Sequence, residues 1–260
     1  MSSTITQLKH SNNRMSNAGV TVYLAAEFGF CWGVERSIAL AYETVSFFPD
    51  KKLHITNELI HNPEVNDKLK EMNVEFIPKT DENNNKDFSG VAEGDVVILP
   101  AFGASFDELK LFDEKNVEVV DTTCPWVSRV WNAVDLHHRK GFASVIHGKA
   151  GHEETIATAS FCEDYVCVKN MQEQELPDRY LEMDTICDAT QTRQDAITEL
   201  AAKREELGLD FILVIGGWDS SNSQHPVEIQ HHAGLRASTS TDLSVSQPRT
   251  PSRTGRLTGT

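Results

Sequence analysis

Nowhere in its 260 residues does the chain run to about 20 consecutive apolar residues, so no segment is fit to cross a membrane as a helix. Positive charge is also scarce: 24 Lys and Arg stand against 39 Asp and Glu, a formal net charge of -15. That balance argues against nucleic acid as a bulk partner, because phosphate-backbone binding needs a basic surface. An anionic small molecule is still compatible, provided that backbone amides, histidines and hydroxyls line its site locally. Cysteines number only five (Cys31, Cys124, Cys162, Cys167 and Cys187), odd in count, scattered, and never in a C-x-x-C pair. They form no disulfide framework and point to a reducing compartment. A secretory signal is missing too. The first 20 residues hold no acid and carry Lys9, His10 and Arg14, too short and weak a pattern for a targeting segment, and residues 1–19 read as a disordered leader.

What is present is an alternation of strand and helix patterns, which predicts an α/β fold with mainly parallel sheets. A run at Val20–Ala26 breaks at Phe28-Gly29-Phe30-Cys31-Trp32-Gly33, and Val34, Ile38, Ala41, Tyr42 and Val45 then recur at helical spacing. Strands are expected at Leu53–Thr56, Asp95–Leu99, Val117–Val120, Ala143–Ile146 and Phe211–Ile215, and a helix from Val65 to Met72. An internal echo links two places. Asp121-Thr122-Thr123-Cys124 and Asp184-Thr185-Ile186-Cys187 each lead into a helix, a strand and a glycine turn, and Cys31 opens a third helix similarly. The echo suggests repeated units gathered around one centre.

Cys31, Cys124 and Cys187 thus sit where loops meet helix starts, positions whose free amides and dipole stabilise thiolate. Three such thiolates can hold three irons of a 4Fe-4S cluster and leave the fourth iron open to substrate. Buried free cysteines are also commonly small hydrophobes, and the same three thiolates could bind zinc. Cys162 and Cys167 flank a strand pattern and read as ordinary packing residues.

Six stretches occur in an order that resembles one family. They are Phe30–Arg36, Glu58–Pro63, Asp121–Pro125, His147–Thr155, Thr185–Thr190 with Arg193-Gln194, and Gly216–Ser223. Together they resemble 4-hydroxy-3-methylbut-2-enyl diphosphate reductase, in its plant and cyanobacterial branch, over roughly residues 20–230. The resemblance implies three similar parallel-sheet α/β units around a central 4Fe-4S cluster held by Cys31, Cys124 and Cys187. It implies that His61, His152, Ser220, Ser221 and Asn222 face the diphosphate of an allylic substrate, and that Glu154 helps deliver a proton. The implied reaction is reductive dehydroxylation to isopentenyl and dimethylallyl diphosphates, with a ferredoxin-type electron donor, in plastid stroma or bacterial cytoplasm.

The units are expected at 20–115, at 116–175 (incomplete) and at 176–234 (truncated), followed by a disordered low-complexity tail at 235–260 whose only acid is Asp242. Three departures stand out. Phe102 occupies a turn position where many relatives outside the plant-like branch carry histidine. A central segment with a Gln-Thr-Thr motif is missing, since only sixteen residues lead from Met171 to Cys187. The resemblance decays after about His225. The alternative reading is therefore a truncated, non-catalytic relative; a zinc hydrolase is a third.

Overall fold

A computed structural model of the chain describes residues 3–80, 85–168, 185–216, 229 and 236–240. The order begins with α1 (Ser3–His10), β1 (Arg14–Asn17) and β2 (Val20–Tyr23). β1 and β2 form an antiparallel hairpin, with Asn17 opposite Val20. Its two-residue turn has Ala18 at φ 49° and Gly19 at φ 80°, the positive-φ pair that matches the twist of a hairpin. Within the segment expected as a disordered leader, 1–19, the described residues thus carry a helix and a hairpin strand, since turn geometry and backbone pairing need no apolar periodicity.

The best-buried part follows. α2 (Trp32–Phe47), β3 (Leu53–Ile55), α3 (Pro63–Glu71), β4 (Glu75–Phe76), β5 (Val96–Leu99), α4 (Phe106–Glu114) and β6 (Glu118–Asp121) build a four-stranded sheet in the order β4-β3-β5-β6. All its pairings are parallel. β5 is buried along its whole length, and its side chains alternate between two cores. Val96 and Ile98 join Ala41, Ile55, Leu59 and Leu69 beneath α2 and α3, whereas Val97 and Leu99 join Phe112 and Ile77 beneath α4. A parallel strand covered on both faces is expected to be apolar at every position, as Val-Val-Ile-Leu is.

Local signals set the helix limits. Asn62 Oδ1 accepts from the Val65 amide at 3.2 Å with Pro63 in the first turn, which starts α3; Asn73, at φ 62°, lies just beyond its end. Ser105 and Glu108 form a reciprocal capping box at the start of α4.

Two thinner parallel sheets complete the fold. α5 (Pro125–His138), β7 (Ser144–His147), α6 (Glu153–Ala159) and β8 (Tyr165–Val168) give the pair β7-β8. α7 (Asp188–Ala202), α8 (Arg204–Leu207), β9 (Phe211–Ile215) and β10 (Arg236–Ser240) give the pair β9-β10.

The expected unit boundaries shift in two places. β6 hydrogen-bonds to β5, so the first unit extends past 115 and the second opens only at α5. β10 lies inside the segment expected to be a disordered tail, and it pairs in register with β9 because ladder bonds need backbone groups rather than a side-chain pattern. Cys167 lies within β8 rather than flanking a strand, and Cys162 is buried just after α6. The sixteen-residue stretch ahead of Cys187 lies largely outside the described residues.

Candidate active site

Each of the three singled-out cysteines is the N-cap residue of a helix: Cys31 of α2, Cys124 of α5 and Cys187 of α7. All three have extended backbone there, with ψ of 164°, 129° and 145°. Cys31 Sγ accepts from the Val34 amide at 3.5 Å, and Cys187 Sγ lies 3.1 Å from Thr190 Oγ1. They also converge. A Cβ placed on Gly33 would sit 2.6 Å from Cys124 Sγ and 3.9 Å from Cys31 Sγ, so only glycine leaves the space between those sulfurs open. Burial pushes the Cys124 thiol up, amide hydrogen bonds from Trp126 and Val127 oppose this, and Cys31 and Cys187 are close enough to add to the rise.

Among the described residues no three His, Cys, Asp or Glu side chains form a cage for one metal ion. A multi-iron cluster is larger than a single ion, so its sulfur ligands stand further apart. Soft thiolates at three helix N-termini, around a glycine-lined gap, fit an anionic iron-sulfur cluster better than a lone zinc.

Hydrogen bonds from outside the cysteines hold the three helix starts together. Arg36 Nη1 donates to Thr123 O at 3.2 Å, binding α2 to the loop that carries Cys124. Ser37 Oγ reaches both Thr122 O at 2.5 Å and Gly33 O at 3.0 Å. Arg193, on α7, reaches Gly29 O with Nε at 3.3 Å and Nη2 at 3.1 Å, tying the third helix to the loop before Cys31. Arg36 and Arg193 lie inside the stretches that carry the family resemblance, which implies no task for them, and Ser37 lies just beyond one.

Beside the cysteines lies a histidine pair. His61 Nε2 and His152 Nε2 are 3.0 Å apart, and both rings pack on Phe102, His61 stacked at 4.5 Å and His152 edge-on at 5.4 Å. His152 is the N-cap of α6, and its Nδ1 accepts from the Glu154 amide at 3.2 Å. His61 Nδ1 lies 3.2 Å from Glu58 Oε2. The Glu58 carboxyl is held below the usual carboxylate range chiefly by this hydrogen bond, so it accepts.

Burial lowers the His152 pKa, with His61 adding to the effect, so its imidazole is neutral near pH 7. Burial raises the Glu154 pKa, against a smaller opposing effect from His61. A carboxyl whose proton is held more tightly than usual, beside two imidazoles, suits the role of a proton donor. The turn Pro100–Gly103 links this cluster to the cysteines, because the Cys124 amide donates to Ala101 O at 3.0 Å next to Phe102. Ser220, Ser221 and Asn222 lie outside the described residues.

Comparisons with known proteins bear on the family and the fold. The model of the LytB protein family matches residues 22–182 and 169–244, beyond the point near His225 where the resemblance was expected to decay. The 4-hydroxy-3-methylbut-2-enyl diphosphate reductase of Picosynechococcus sp. is 41% identical over 296 aligned positions, spanning 88% of this chain and 72% of that protein. The protein of the same description from Cyanothece sp. is 43% identical over 296 positions, spanning 88% and 72%. The chloroplastic one from Botryococcus braunii is 40% identical over 295 positions, spanning 86% and 59%.

Among solved structures, the E-1-hydroxy-2-methyl-but-2-enyl-4-diphosphate reductase of Plasmodium falciparum superposes with a TM-score of 0.69 at 24% identity, over 81% of this chain and 73% of that one. A structure of (E)-4-hydroxy-3-methyl-but-2-enyl diphosphate reductase gives 0.57 at 24% identity, over 83% of each chain. At that identity the two likenesses bear on the fold. With a family model matched over most of its length and relatives above 40% identity, the chain belongs to the LytB family of 4-hydroxy-3-methylbut-2-enyl diphosphate reductases.

Proposed function

We propose that the chain removes the allylic hydroxyl of (E)-4-hydroxy-3-methylbut-2-enyl diphosphate by two-electron reduction, giving isopentenyl and dimethylallyl diphosphates. The observation that carries this reading is the convergence of three N-cap cysteines beside a half-buried carboxyl and a histidine pair. Cys31, Cys124 and Cys187 would hold a 4Fe-4S cluster. When bound, that group supplies single electrons and an open iron with affinity for oxygen.

The chain's own residues do the rest. His61 and His152 bind and orient the diphosphate through ring N–H donors, joined by Ser220, Ser221 and Asn222. Phe102 packs on both rings, stacked against His61 and at a steep angle to His152. Glu154 holds a proton in reserve. In the balanced reaction two electrons and two protons enter, the C–O bond breaks, its oxygen leaves as water, and a C–H bond forms at either end of the allyl unit. A ferredoxin-type protein is the proposed electron donor, and plastid stroma or bacterial cytoplasm the proposed compartment. No helix among the described residues is long and apolar enough to cross a membrane.

A second reading, a shortened relative without turnover, has its own support. The alignment to the Picosynechococcus protein spans 296 positions, more than the 260 residues of the chain, and the family model matches in two pieces. Both facts agree with a segment missing ahead of Cys187. Anaerobic purification after cluster reconstitution separates the readings. About four irons and four sulfides per chain, with turnover under a one-electron reductant, support the reductase. A cluster-loaded chain that never consumes substrate supports the shortened relative, and a metal-free chain denies the cysteine assignment.

A further inference from the structure

Between β4 and β5 the chain makes an excursion whose stems close on each other. Lys79 and Lys86 face one another in an antiparallel bridge; the Thr80 amide donates to Asn85 O at 2.7 Å and the Asp87 amide to Pro78 O at 3.0 Å. Residues directly opposite in such a bridge send their side chains to the same face, and here both are lysines. They converge on one carboxylate. Lys86 Nζ lies 3.1 Å from Glu153 Oε2, and Lys79 Nζ lies 3.3 Å from Glu153 Oε1. Glu153 Oε1 makes no hydrogen bond of good geometry, so Lys79 meets it as a charge. Lys86 Nζ also lies 2.7 Å from Glu108 Oε1, while Glu108 Oε2 accepts from the Ser105 amide at the start of α4.

The arrangement is buried: the side chains of Lys86, Glu153 and Glu108 are 3%, 9% and 14% exposed. An ammonium taken this far from water needs its carboxylates, and they need it. Glu153 stands between His152 and Glu154 at the start of α6, a helix of seven residues. A helix that short takes its orientation from tertiary contacts rather than from its own hydrogen bonds. Whatever fixes Glu153 therefore fixes where its two neighbours point. We infer that Lys86, seconded by Lys79, is a positioning residue: gripping Glu153, it aims His152 at His61 and sets Glu154 in place without touching substrate. The inference rests on the reading of the histidine pair as the diphosphate site.

The test uses the cluster-loaded chain, with inorganic diphosphate as the calorimetric probe and turnover as a second readout. Lys86→Met with Glu153→Gln removes one charge of each sign, so the net charge of the site is unchanged. This double variant is expected to keep the wild-type iron content, while its thermal midpoint falls because Glu108 loses its ammonium. It is also expected to bind diphosphate about tenfold more weakly and to turn over about 10²-fold more slowly, the size of effect that small misplacement of reacting groups produces. If its affinity and kcat match the wild type, Lys86 merely neutralises a buried charge and the positioning role is lost.

Should the double variant not fold, Glu153→Gln alone decides, because Lys86 then retains Glu108. Deleting a negative charge beside an anion site strengthens anion binding by Coulomb's law. Weaker binding would therefore report lost alignment, and equal or tighter binding would overturn the inference. A wild-type chain that binds diphosphate without turning over would defeat the reductase reading while leaving the clamp decided by these affinities.

Discussion

Proton positions in the imidazole pair follow from its neighbours. His152 Nδ1 accepts from the Glu154 amide, so the neutral ring carries its proton on Nε2 and donates to His61 Nε2. His61 then carries its proton on Nδ1, facing Glu58. One bond direction runs through both rings, and only one proton lies between the two Nε2 atoms. A diphosphate that both Nε2 atoms contact requires each to donate, so binding should take up roughly one proton, with Glu58 ready to stabilise a charged His61. Calorimetry above pH 7, in buffers of differing ionisation heat, should show binding heats that vary with the buffer. Heats independent of the buffer would contradict this proton arrangement.

Glu154 makes the opposite kind of prediction. Because burial raises its pKa, the folded state holds its proton more tightly than the unfolded state, and the resulting stability is lost as pH rises through the folded value. Glu154→Gln should therefore flatten the decline of thermal midpoint on the alkaline side while cutting kcat by about 10²–10⁴-fold, the range for loss of a general acid. A variant with unchanged kcat would remove Glu154 from the proton path.

At the scale of elements, α3 does more than cover the sheet. Asn66, buried on its inner face, accepts from the Leu59 amide with Oδ1 at 3.0 Å and donates Nδ2 to Ile60 O at 2.9 Å. It substitutes for a secondary-structure partner along the segment that delivers His61. Asn66→Ala would strand the buried Leu59 amide at a cost of about 1–3 kcal/mol, while Ile60 O keeps the Asn62 amide at 2.7 Å. Urea unfolding should register a loss of that order, and diphosphate affinity should fall with it. If stability drops while affinity holds, the 58–62 segment is positioned by something other than α3.

For the whole molecule, the contrast between sheets has a dynamic counterpart. β5 is buried along its length, whereas Val145, Val166, Phe211, Leu213 and Ile215 in the two-stranded sheets are exposed. Opening free energies follow buried contact, so amide exchange should be slowest in β3, β5 and the helices over them, and faster in β7-β8 and β9-β10. Equal protection in all three sheets would mean that the thin ones are stabilised from outside the described residues.

The same contrast explains what the sequence revealed. β5 was legible because a doubly covered parallel strand is apolar throughout, and β9 because its run is bounded by glycines. Cys31, Cys124 and Cys187 were legible because each stands at a helix start. The N-terminal hairpin escaped because it depends on the φ of Ala18 and Gly19, and β10 because it is held by backbone alone. The lysine grip on Glu153 joins residues 67 positions apart, and no periodicity records such a pairing.

The turn Pro100–Gly103 leaves one evolutionary freedom open. Its backbone is pinned three ways: the Ala101 amide donates to Leu59 O, the Gly103 amide to Pro100 O, and Ala101 O receives the Cys124 amide. Gly103 has φ 86°, and any Cβ there would land inside the Trp131 indole, so that position is closed to change. Position 102 alone projects from this fixed frame, between the two imidazoles. Exchange of Phe102 for histidine would add a third imidazole to the pair while the main chain stayed where it is. A lineage can thus retune the polarity of this pocket through a single codon, on a backbone its neighbours forbid to drift.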